Sequence, residues 1–394
     1  MYDDSASIGA QYPSGPVGRD CPIPATTMNT STPRVFIAAT QQNDGKTTTA
    51  LGLFAALRKK LGRIGFIKPV GQRFVEVEGL RVDEDSVLID QTFSVYTPLE
   101  AMSPIAVEPD FTRRYIEEQN NEHLVKRIQH SFDRAAWEKD FVIVEGTGHA
   151  GVGSVFDLSN ARVAKLLGSK VILVTKGGIG RPIDEIALNK ALFDKEGVEV
   201  VGVIINKLLP EKYEYVRDFA TRGFARLGIE LLGAIPEEPL LSNATLGQIR
   251  QTIKGQFINA KEKSRRRVKK IIIGAMNSSH VMEHFQPGTL IITPGDREDV
   301  ILAALSTSTL SSAEDRAIAG LVLSGDLLPH QSVLDLIGNS DVPVIRSPLD
   351  SYTVASGIYS MTVKTLPGDI EKIDKIQSLI DRHVDIDRLL TKLS

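Results

Sequence analysis

The feature that most constrains this chain is a short apolar run, Arg34–Ala39, that leads through a polar loop into a helical pattern. The loop closes with Gly45, Lys46 and Thr47, and apolar residues then recur at helical spacing over 50–57. This order of strand, loop and helix is typical of a phosphate-binding loop. Backbone N–H groups at the helix start face the phosphates, the lysine reaches the terminal ones, and the threonine hydroxyl contacts Mg²⁺. The residues predicted to bind a nucleotide here are Asn43, Asp44, Gly45, Lys46, Thr47 and Thr48.

The loop departs from the G-x-x-x-x-G-K-[ST] pattern at one position, because Thr40 stands where the pattern has glycine. On this stretch alone, the alternative explanation is a chance Gly-Lys-Thr at a helix start. Thr40 also motivates a different hypothesis, an interaction scaffold whose nucleotide site is inactive. The other motifs of the chain favour the phosphate loop.

Length and composition limit the class of protein. A chain of 394 residues, 42% of them hydrophobic, is large enough for two or three domains with real cores. A net charge of −3 argues against a general nucleic-acid or membrane-surface partner. The single cysteine, Cys21, excludes an intramolecular disulfide and fits a reducing compartment. No apolar run reaches the roughly 18 residues needed to span a bilayer, and the chain start does not resemble a secretory signal. We therefore expect a cytoplasmic protein without nucleic-acid or membrane partners.

From Pro33 onward, short apolar runs alternate with helical patterns. Continuous apolar strands between amphipathic helices predict an α/β fold with a mostly parallel sheet covered by helices on both faces. Ligands of such sheets bind at the carboxyl ends of the strands. The predicted strands are 34–39, 64–68, 141–145, 171–175, 200–205 and 230–235, and the predicted helices are about 46–61, 121–138, 158–167, 182–196 and 211–227.

A second, smaller α/β domain is predicted after a basic segment, Lys261–Lys270. This segment is interpreted as a solvated linker surface and not a nucleic-acid patch, because no aromatic residues interleave with the charges. The predicted divisions are a disordered tail (1–32), a phosphate-loop domain (33–245), a charged helical linker (246–269) and the second domain (270–394). Within the last, strands are predicted at 270–274, 289–292, 320–323 and 343–345, and helices near 297–306, 330–338, 353–364 and 370–382.

Three further motifs lie at predicted strand ends or helix starts. Lys68 precedes Pro69, which favours an extended exit from the strand. Lys68 is either an ordinary surface lysine or a second cation that stabilises charge on a transferring phosphoryl group. Asp83, Glu84 and Asp85 open a helix, where carboxylates are stabilised in any case. One of them is also a candidate Mg²⁺ ligand, and spacing alone does not choose between them.

Glu145 ends the apolar strand 141–145, as in a Walker B arrangement that holds Mg²⁺ directly or through water. The loop that follows, Gly146–Gly153, is predicted to be flexible and to close over a substrate. Its candidate residues are Gly146, Thr147, Gly148 and His149, with His149 either a ligand or base or simply an exposed loop histidine.

Val203–Lys207 is similar to the base-reading strand end of nucleotide-binding P-loop proteins. The guanine-reading form needs an aspartate two residues after the lysine, and this chain has Leu209 there, so adenine is favoured. Pro236, at the end of the last predicted strand, is expected to line the pocket for the base.

Together these motifs, over about 34–245, resemble the dethiobiotin synthetase-like branch of P-loop proteins, within the AAA family of ATPases. The resemblance implies that Lys46 and Lys68 are catalytic and that Asn206 reads adenine. It implies Thr47, Asp85 and Glu145 as Mg²⁺ ligands, since Asp85 matches the aspartate of the family's Asp-Ala-Leu element and Glu145 begins its Glu-Gly-Ala-Gly turn.

The downstream segments Pro294–Val300 and Ser324–Asp326 resemble the DRTGG domain, which follows such a P-loop domain in the N-terminal half of long phosphotransacetylases. The resemblance implies a regulatory protein that binds ATP and Mg²⁺. Its expected protein partner is either a second copy of the chain, in a homodimer, or an enzyme of acetyl-phosphate and acetyl-CoA metabolism. The alternative is an ATP-dependent ligase of the dethiobiotin synthetase or cobyrinic acid a,c-diamide synthase type, which activates a carboxylate or carbamate as an acyl phosphate.

Overall fold

The computed structural model describes residues 28–310 and 318–394. The predicted disordered tail lies outside the described residues up to residue 27, but its last part is tied to the fold. The Asn29 N–H donates to Asp133 at 2.6 Å, and the Arg34 guanidinium donates to the carbonyl oxygens of Asn29 and Thr32. The tail prediction is therefore wrong for residues 28–32.

The secondary structure alternates strands and helices along the described chain. The strands are β1 (Arg34–Ala39), β2 (Ile64–Ile67), β3 (Val70–Gly71), β4 (Phe74–Val77), β5 (Leu80–Asp83), β6 (Ile105–Ala106), β7 (Phe141–Glu145), β8 (Lys170–Lys176), β9 (Val200–Leu208), β10 (Leu231–Pro236), β11 (Gln256–Phe257), β12 (Lys270–Ile273), β13 (Thr289–Pro294), β14 (Gly320–Ser324) and β15 (Val344–Arg346). The helices are α1 (Lys46–Leu61), α2 (Glu84–Phe93), α3 (Leu99–Met102), α4 (Phe111–Glu118), α5 (Glu122–Ala136), α6 (Asn160–Leu166), α7 (Gly180–Glu196), α8 (Tyr213–Arg226), α9 (Pro239–Ser242), α10 (Leu246–Thr252), α11 (Ser278–Met282), α12 (Glu298–Leu310), α13 (Gln331–Gly338), α14 (Ser351–Ser360), α15 (Ile370–His383) and α16 (Ile386–Leu393). No helix of the described residues combines the length and the apolar character that crossing a bilayer requires.

The first sheet has six parallel strands in the order β10-β9-β8-β1-β7-β2. Helices α5 to α8 pack on one face, and α1, α15 and α16 cover the other. Every residue of β1 is buried, as expected for a strand covered on both sides. The predicted α/β class with a mostly parallel sheet is confirmed, and the carboxyl ends of β1, β7 and β8 lie side by side.

A small excursion between β2 and α5 brings acidic residues to this edge. β4 and β5 form an antiparallel hairpin, and β5 runs directly into α2 through Asp83. The Asp83 carboxylate accepts a hydrogen bond from the Asp85 N–H at 2.9 Å and so caps the helix. The predicted cluster of carboxylates at a helix start is present.

The second sheet has five strands in the order β11-β15-β14-β13-β12, of which β12 to β15 are parallel. Two separate apolar clusters fill its faces. Helices α10 and α14 contribute to one cluster, and α11, α12 and α13 contribute to the other. This region is therefore a second α/β unit with its own core.

The two compact units divide the chain differently from the sequence-based boundaries. The second unit is Glu238–Lys364, whereas Thr365–Ser394 belongs to the first. Helix α15 packs so closely on α1 that a Cβ on Gly52 would lie 2.2 Å from Ile380 Cγ1. After α15, the Asp385 N–H donates to the carbonyl of Leu232 in β10.

The segment predicted as a charged linker, 246–269, also packs within the second unit. Leu246, Ile249 and Ile253 are fully buried in one of its two apolar clusters. Lys263 pairs with Asp341 at 2.7 Å, and Arg266 donates to the carbonyl of Ile318. Its basic residues thus lie on a folded surface.

Candidate functional site

The loop between β1 and α1 has the backbone geometry of an anion-binding helix start. Gly45 takes a left-handed φ of 101° and Asn43 a φ of 68°. Gly45 is the N-cap of α1 and has no side chain that could occupy the first N–H groups of the helix. Helix starts of this kind favour phosphate, because the N–H groups and the helix dipole both attract negative charge.

Hydrogen bonds brace the loop at Thr40, where the sequence pattern has glycine. Asp44 Oδ2 accepts from Thr40 Oγ1 and from the Gln41 N–H, both at 2.8 Å. Thr40 Oγ1 also lies 3.0 Å from Thr175 Oγ1 and 3.2 Å from Glu185 Oε2. Burial raises the pKa of the Asp44 carboxyl, although its bond to Thr40 opposes the shift. Threonine at position 40 is thus part of a polar network in the loop.

Lys68, at the end of β2, is buried among three carboxylates. Its Nζ lies 3.0 Å from Asp83 Oδ1 and 4.0 Å from Glu145 Oε1, and it pairs directly with Asp85. Burial acts to lower the pKa of the Lys68 ammonium, but the charges of Asp85 and Asp83 outweigh it and hold that pKa above its usual range. Lys68 is only 7% exposed, so the interpretation as an ordinary surface lysine is wrong.

Glu145, at the end of β7, connects this cluster to the phosphate loop. Thr47 Oγ1 donates to Glu145 Oε1 at 2.9 Å. Burial, together with the nearby charge of Asp85, raises the pKa of Glu145 to about 8. Burial also lowers the pKa of the neighbouring Lys46 ammonium, which Glu145 partly restores. The two lysines, Thr47, Asp85 and Glu145 therefore meet in one place.

Two carboxylate oxygens of this cluster, Glu145 Oε2 and Asp83 Oδ2, are buried, and neither has a hydrogen-bond partner among the residues that the structure describes. Buried oxygens of this kind suit a hard cation. Over 28–310 and 318–394, no group of three or more His, Cys, Asp or Glu side chains is arranged to hold a metal ion. The predicted Mg²⁺ set has only two acids, and it fits an ion that takes its remaining ligands from phosphates and water.

The loop after β7 is more firmly held than its glycines suggest. Asn160 Oδ1 accepts from the Thr147 N–H at 3.1 Å, and Asn160 Nδ2 donates to the carbonyls of Thr147 and His149, both at 2.7 Å. Asn189 Oδ1 accepts from the Ala150 N–H at 2.8 Å. His149 itself is exposed. The prediction of a flexible loop is therefore wrong at these anchored positions.

Asn206, at the end of β9, touches the phosphate loop. Asn206 Nδ2 donates to the carbonyl of Asp44 at 2.9 Å, and the adjacent Lys207 Nζ donates to the carbonyl of Asn43 at 2.8 Å. Pro236 lies half-buried at the end of the neighbouring strand β10. Both predicted base-pocket residues are thus at the same edge of the sheet.

Sequence reasoning did not assign several residues of this site. Asp83 was an open alternative to Asp85, and the structure places both beside Lys68. Isolated polar residues on helices give no sequence signal for long-range hydrogen bonds. The helical residues of the site that had none are Asn160, Glu185 and Asn189. At the strand ends, the bonds of Thr175 and Lys207 to the phosphate loop were likewise not predicted.

Comparison with known proteins gives two family matches and a set of relatives. A family described as AAA domain matches residues 33–245, and one described as DRTGG domain matches residues 248–361. The phosphate acetyltransferase of Pseudomonas aeruginosa is 30% identical over 371 residues, which are 90% of this chain and 51% of that protein. The phosphate acetyltransferase of Nitrosomonas europaea is 27% identical over 360 residues, 89% of this chain and 50% of that protein. The chain thus spans about half the length of these curated relatives.

Among solved structures, the chain is similar to the CBS and DRTGG domains of the regulatory region of a Clostridium perfringens pyrophosphatase, complexed with its activator diadenosine tetraphosphate. The identity is 23%, with 32% of this chain and 49% of that chain covered, and the TM-score is 0.26.

The AAA-domain match covers more than half of the chain and contains the phosphate loop, Lys68 and Glu145. The DRTGG match follows it directly, which confirms the pairing implied by the resemblance. The chain therefore belongs to the AAA domain family, with a P-loop domain followed by a DRTGG domain.

Proposed function

We propose that this chain binds ATP with Mg²⁺ in its P-loop domain and acts as a nucleotide-dependent regulator. The observation that carries the proposal is the meeting of Lys46, Thr47, Lys68 and Glu145 at the start of α1. Two buried lysines beside the N-terminus of a sixteen-residue helix supply the positive charge that a triphosphate requires.

Thr47, Asp85 and Glu145 are the residues that would hold the metal. The uncommitted Oε2 of Glu145 and the hydroxyl of Thr47 support this assignment. Mg²⁺ bound there would neutralise charge on the phosphates. Lys46 would bind the terminal phosphates, and Lys68 would supply a second cation that stabilises charge on the terminal phosphoryl group.

Adenine is the proposed base, because Leu209 stands where guanine-reading sites have aspartate. The regulatory role is supported by the pairing with a DRTGG domain and by relatives that are named phosphate acetyltransferase. We propose that the target is an enzyme of acetyl-phosphate or acetyl-CoA metabolism. Homodimer formation and the cytoplasmic location stay predictions.

Calorimetric titration of MgATP tests the proposal. Lys46→Ala should weaken binding at least about thirtyfold, because a charge-assisted contact to phosphate contributes about 2–3 kcal/mol. Lys59→Ala is the matched control, since Lys59 is an exposed lysine near the other end of α1, paired with Asp381. The control should bind like the wild type. A wild type that binds no adenine nucleotide would contradict the proposal and favour the inactive scaffold.

Phosphate release, followed in the same samples, separates the regulator from the ligase. The regulator should bind MgATP tightly and hydrolyse it slowly, whether or not a carboxylic compound is added. Phosphate release that starts only when a carboxylate or carbamate is supplied would favour the ligase.

A further inference from the structure

Lys68 lies between two acids that the proposed site uses differently. Its Nζ lies 3.0 Å from Asp83 Oδ1 and pairs directly with Asp85, and all three side chains are less than one-tenth exposed. Asp85 is a proposed Mg²⁺ ligand, whereas Asp83 is not. Glu145, the other proposed acidic ligand, has its Oε1 4.0 Å from the same Nζ. A lysine ammonium therefore lies among oxygens that the proposed site assigns to a metal.

An ammonium and a divalent cation compete for the Asp85 carboxylate. Like charges in a buried site repel strongly, because little water is present to screen them. Mg²⁺ requires oxygen ligands in a nearly octahedral arrangement, whereas an ammonium on a flexible stem needs only acceptors within hydrogen-bond distance. Lys68 is therefore the partner that has to leave Asp85 when the metal binds.

Asp83 is held in a position to receive the ammonium. Its carboxylate accepts from the Asp85 N–H at 2.9 Å, and its own N–H donates to Ser103 Oγ at 2.9 Å, so its place before α2 is fixed. In the described part of the chain, Asp83 Oδ2 is buried without a hydrogen-bond partner. A Cβ on Gly71 would lie 2.5 Å from this oxygen, so the glycine leaves it room. Asp83 therefore offers Lys68 a second acceptor beside the oxygen that it already contacts.

We propose that Lys68 moves from Asp85 to Asp83 when Mg²⁺ binds Asp85, and that Asp83 is the positioning residue that keeps the ammonium at the phosphate site. The inference rests on the proposed function and couples its two ligands. Lys68 lowers the affinity of the protein alone for the metal, and a bound terminal phosphate gives the ammonium another partner. Metal and nucleotide therefore strengthen each other's binding through Lys68.

Titration with Mn²⁺ in the absence of nucleotide tests this exchange, because Mn²⁺ takes the same kinds of oxygen ligand as Mg²⁺. Lys68→Met removes the competing ammonium and should tighten Mn²⁺ binding at least about tenfold. Asp83→Asn keeps the cap of α2, because asparagine caps helices as well as aspartate does. It removes the anion that receives Lys68 and should weaken Mn²⁺ binding about tenfold, as the loss of a group that supports a metal site does.

Glu84→Gln is the matched control for charge. Glu84 is a half-buried acid at the first position of α2, between Asp83 and Asp85. Its substitution removes one negative charge from the same helix start and should change the Mn²⁺ affinity by less than about threefold, since a partly screened charge contributes little. A loss equal to that of Asp83→Asn would overturn the role of the pair between Asp83 and Lys68.

The double variant, Lys68→Met with Asp83→Asn, separates positioning from direct metal binding. Without the ammonium, position 83 has no cation to receive. Asp83→Asn should therefore weaken Mn²⁺ binding by less than about threefold in the Lys68→Met background. The same loss in both backgrounds would make Asp83 a metal ligand and overturn the inference.

A second measurement uses Asp83→Asn alone and does not depend on the folding of Lys68→Met. Saturating inorganic tripolyphosphate gives the ammonium a phosphate partner in place of Asp83. At equal free Mn²⁺, the deficit of this variant in Mn²⁺ affinity should then shrink from about tenfold to less than about threefold. A deficit that tripolyphosphate leaves unchanged would overturn the inference.

Failure of this inference is distinguishable from failure of the proposed function. A wild type that binds MgATP, with Lys68→Met and Asp83→Asn both at the wild-type affinity for Mn²⁺, would overturn the inference alone. A wild type that binds neither MgATP nor Mn²⁺ would reject the proposed function, and the inference with it. Thermal unfolding of each variant checks that the metal meets a folded protein.

Discussion

The two main sheets differ in how far the charged side chains are buried at the edge where their parallel strands end. At the edge of the first sheet, Lys46, Lys68, Asp83, Asp85 and Glu145 are all less than one-tenth exposed. At the edge of the second sheet, the pairs of Arg297 with Asp299 and Arg346 with Asp326 are partly exposed. Apart from the Nε of Arg346, the buried polar groups there are the neutral hydroxyls of Thr293, Ser324 and Ser347.

The second sheet shows that the layered architecture itself does not require buried ions at this edge. Ions removed from water lose several kcal/mol of solvation each, and pairing restores only part of that. A cluster that keeps two oxygens without partners is therefore not explained by stability. The difference in buried charge between the two edges supports the proposed ligand site at the first edge.

Removal of Lys68 should have the largest effect on stability. Lys68→Met leaves the carboxylates of Asp83 and Asp85 buried without their cation, and we expect the free energy of unfolding to fall by about 3–5 kcal/mol. Urea unfolding measures it. The second sheet supplies the matched control, Arg297→Met, which breaks a more exposed pair with Asp299. This control should change the free energy of unfolding by less than about 1 kcal/mol.

A double variant sharpens this comparison. Adding Asp85→Asn to Lys68→Met removes the carboxylate that pairs directly with Lys68, and we expect part of the lost stability to return. If Lys68→Met costs no more than Arg297→Met, the two edges do not differ in the way described.

The pH dependence of stability should also distinguish the first edge. Burial, with the charge of Asp85, raises the pKa of Glu145 from its ordinary value of 4.5 to about 8. Between these values the folded protein holds a proton that the unfolded chain has released, so stability falls as the pH rises through this window. The slope is at most about 1.4 kcal/mol per pH unit.

Glu145→Gln lacks this titration, so its stability in EDTA should decline less than that of the wild type between about pH 5 and 8. Chemical unfolding at several pH values measures the difference. Parallel profiles for the two proteins would mean that Glu145 is ionised over the whole range.

The smallest expected effect concerns the neutral edge of the second sheet. Thr293 is fully buried, and its hydroxyl has no hydrogen-bond partner among the described residues. Thr293→Val keeps the shape, removes the unpaired hydroxyl, and should stabilise the protein by about 1 kcal/mol. Ser324→Ala is the contrasting variant, because Ser324 Oγ lies 2.7 Å from Ser351 Oγ. Ser324→Ala should destabilise the protein by about 1 kcal/mol. Thermal unfolding of both variants measures these changes. A loss of stability in Thr293→Val would show that its hydroxyl is bonded.

The sequence was sufficient for the order of the main strands of both sheets and for most of the candidate cluster. Buried parallel strands are continuous apolar runs, and for this reason 34–39 and 141–145 match β1 and β7 to the residue. Lys46, Lys68 and Glu145 follow strand ends, and the ends of parallel strands necessarily share one edge.

What the sequence did not reveal depends on contacts between distant residues. The amphipathic pattern of 370–382 predicts a helix with one buried face, but periodicity does not say which core that face joins. The structure packs α15 on α1 of the first unit. The absent glycine at position 40 is visible in the sequence, whereas the bond from Thr40 to Thr175, 135 positions away, is not.

The return of the chain to the first unit at Thr365 has a consequence for its synthesis. The ribosome must make the whole of Glu238–Lys364 before α15 and α16 emerge. At about 5–20 residues per second this delay is on the order of ten seconds. During that time the apolar surface of α1 that later receives Ile376 and Ile380 is exposed to water. The nascent P-loop domain therefore lacks part of its packing during this delay, while the inserted unit has all of its own sequence available and can fold first.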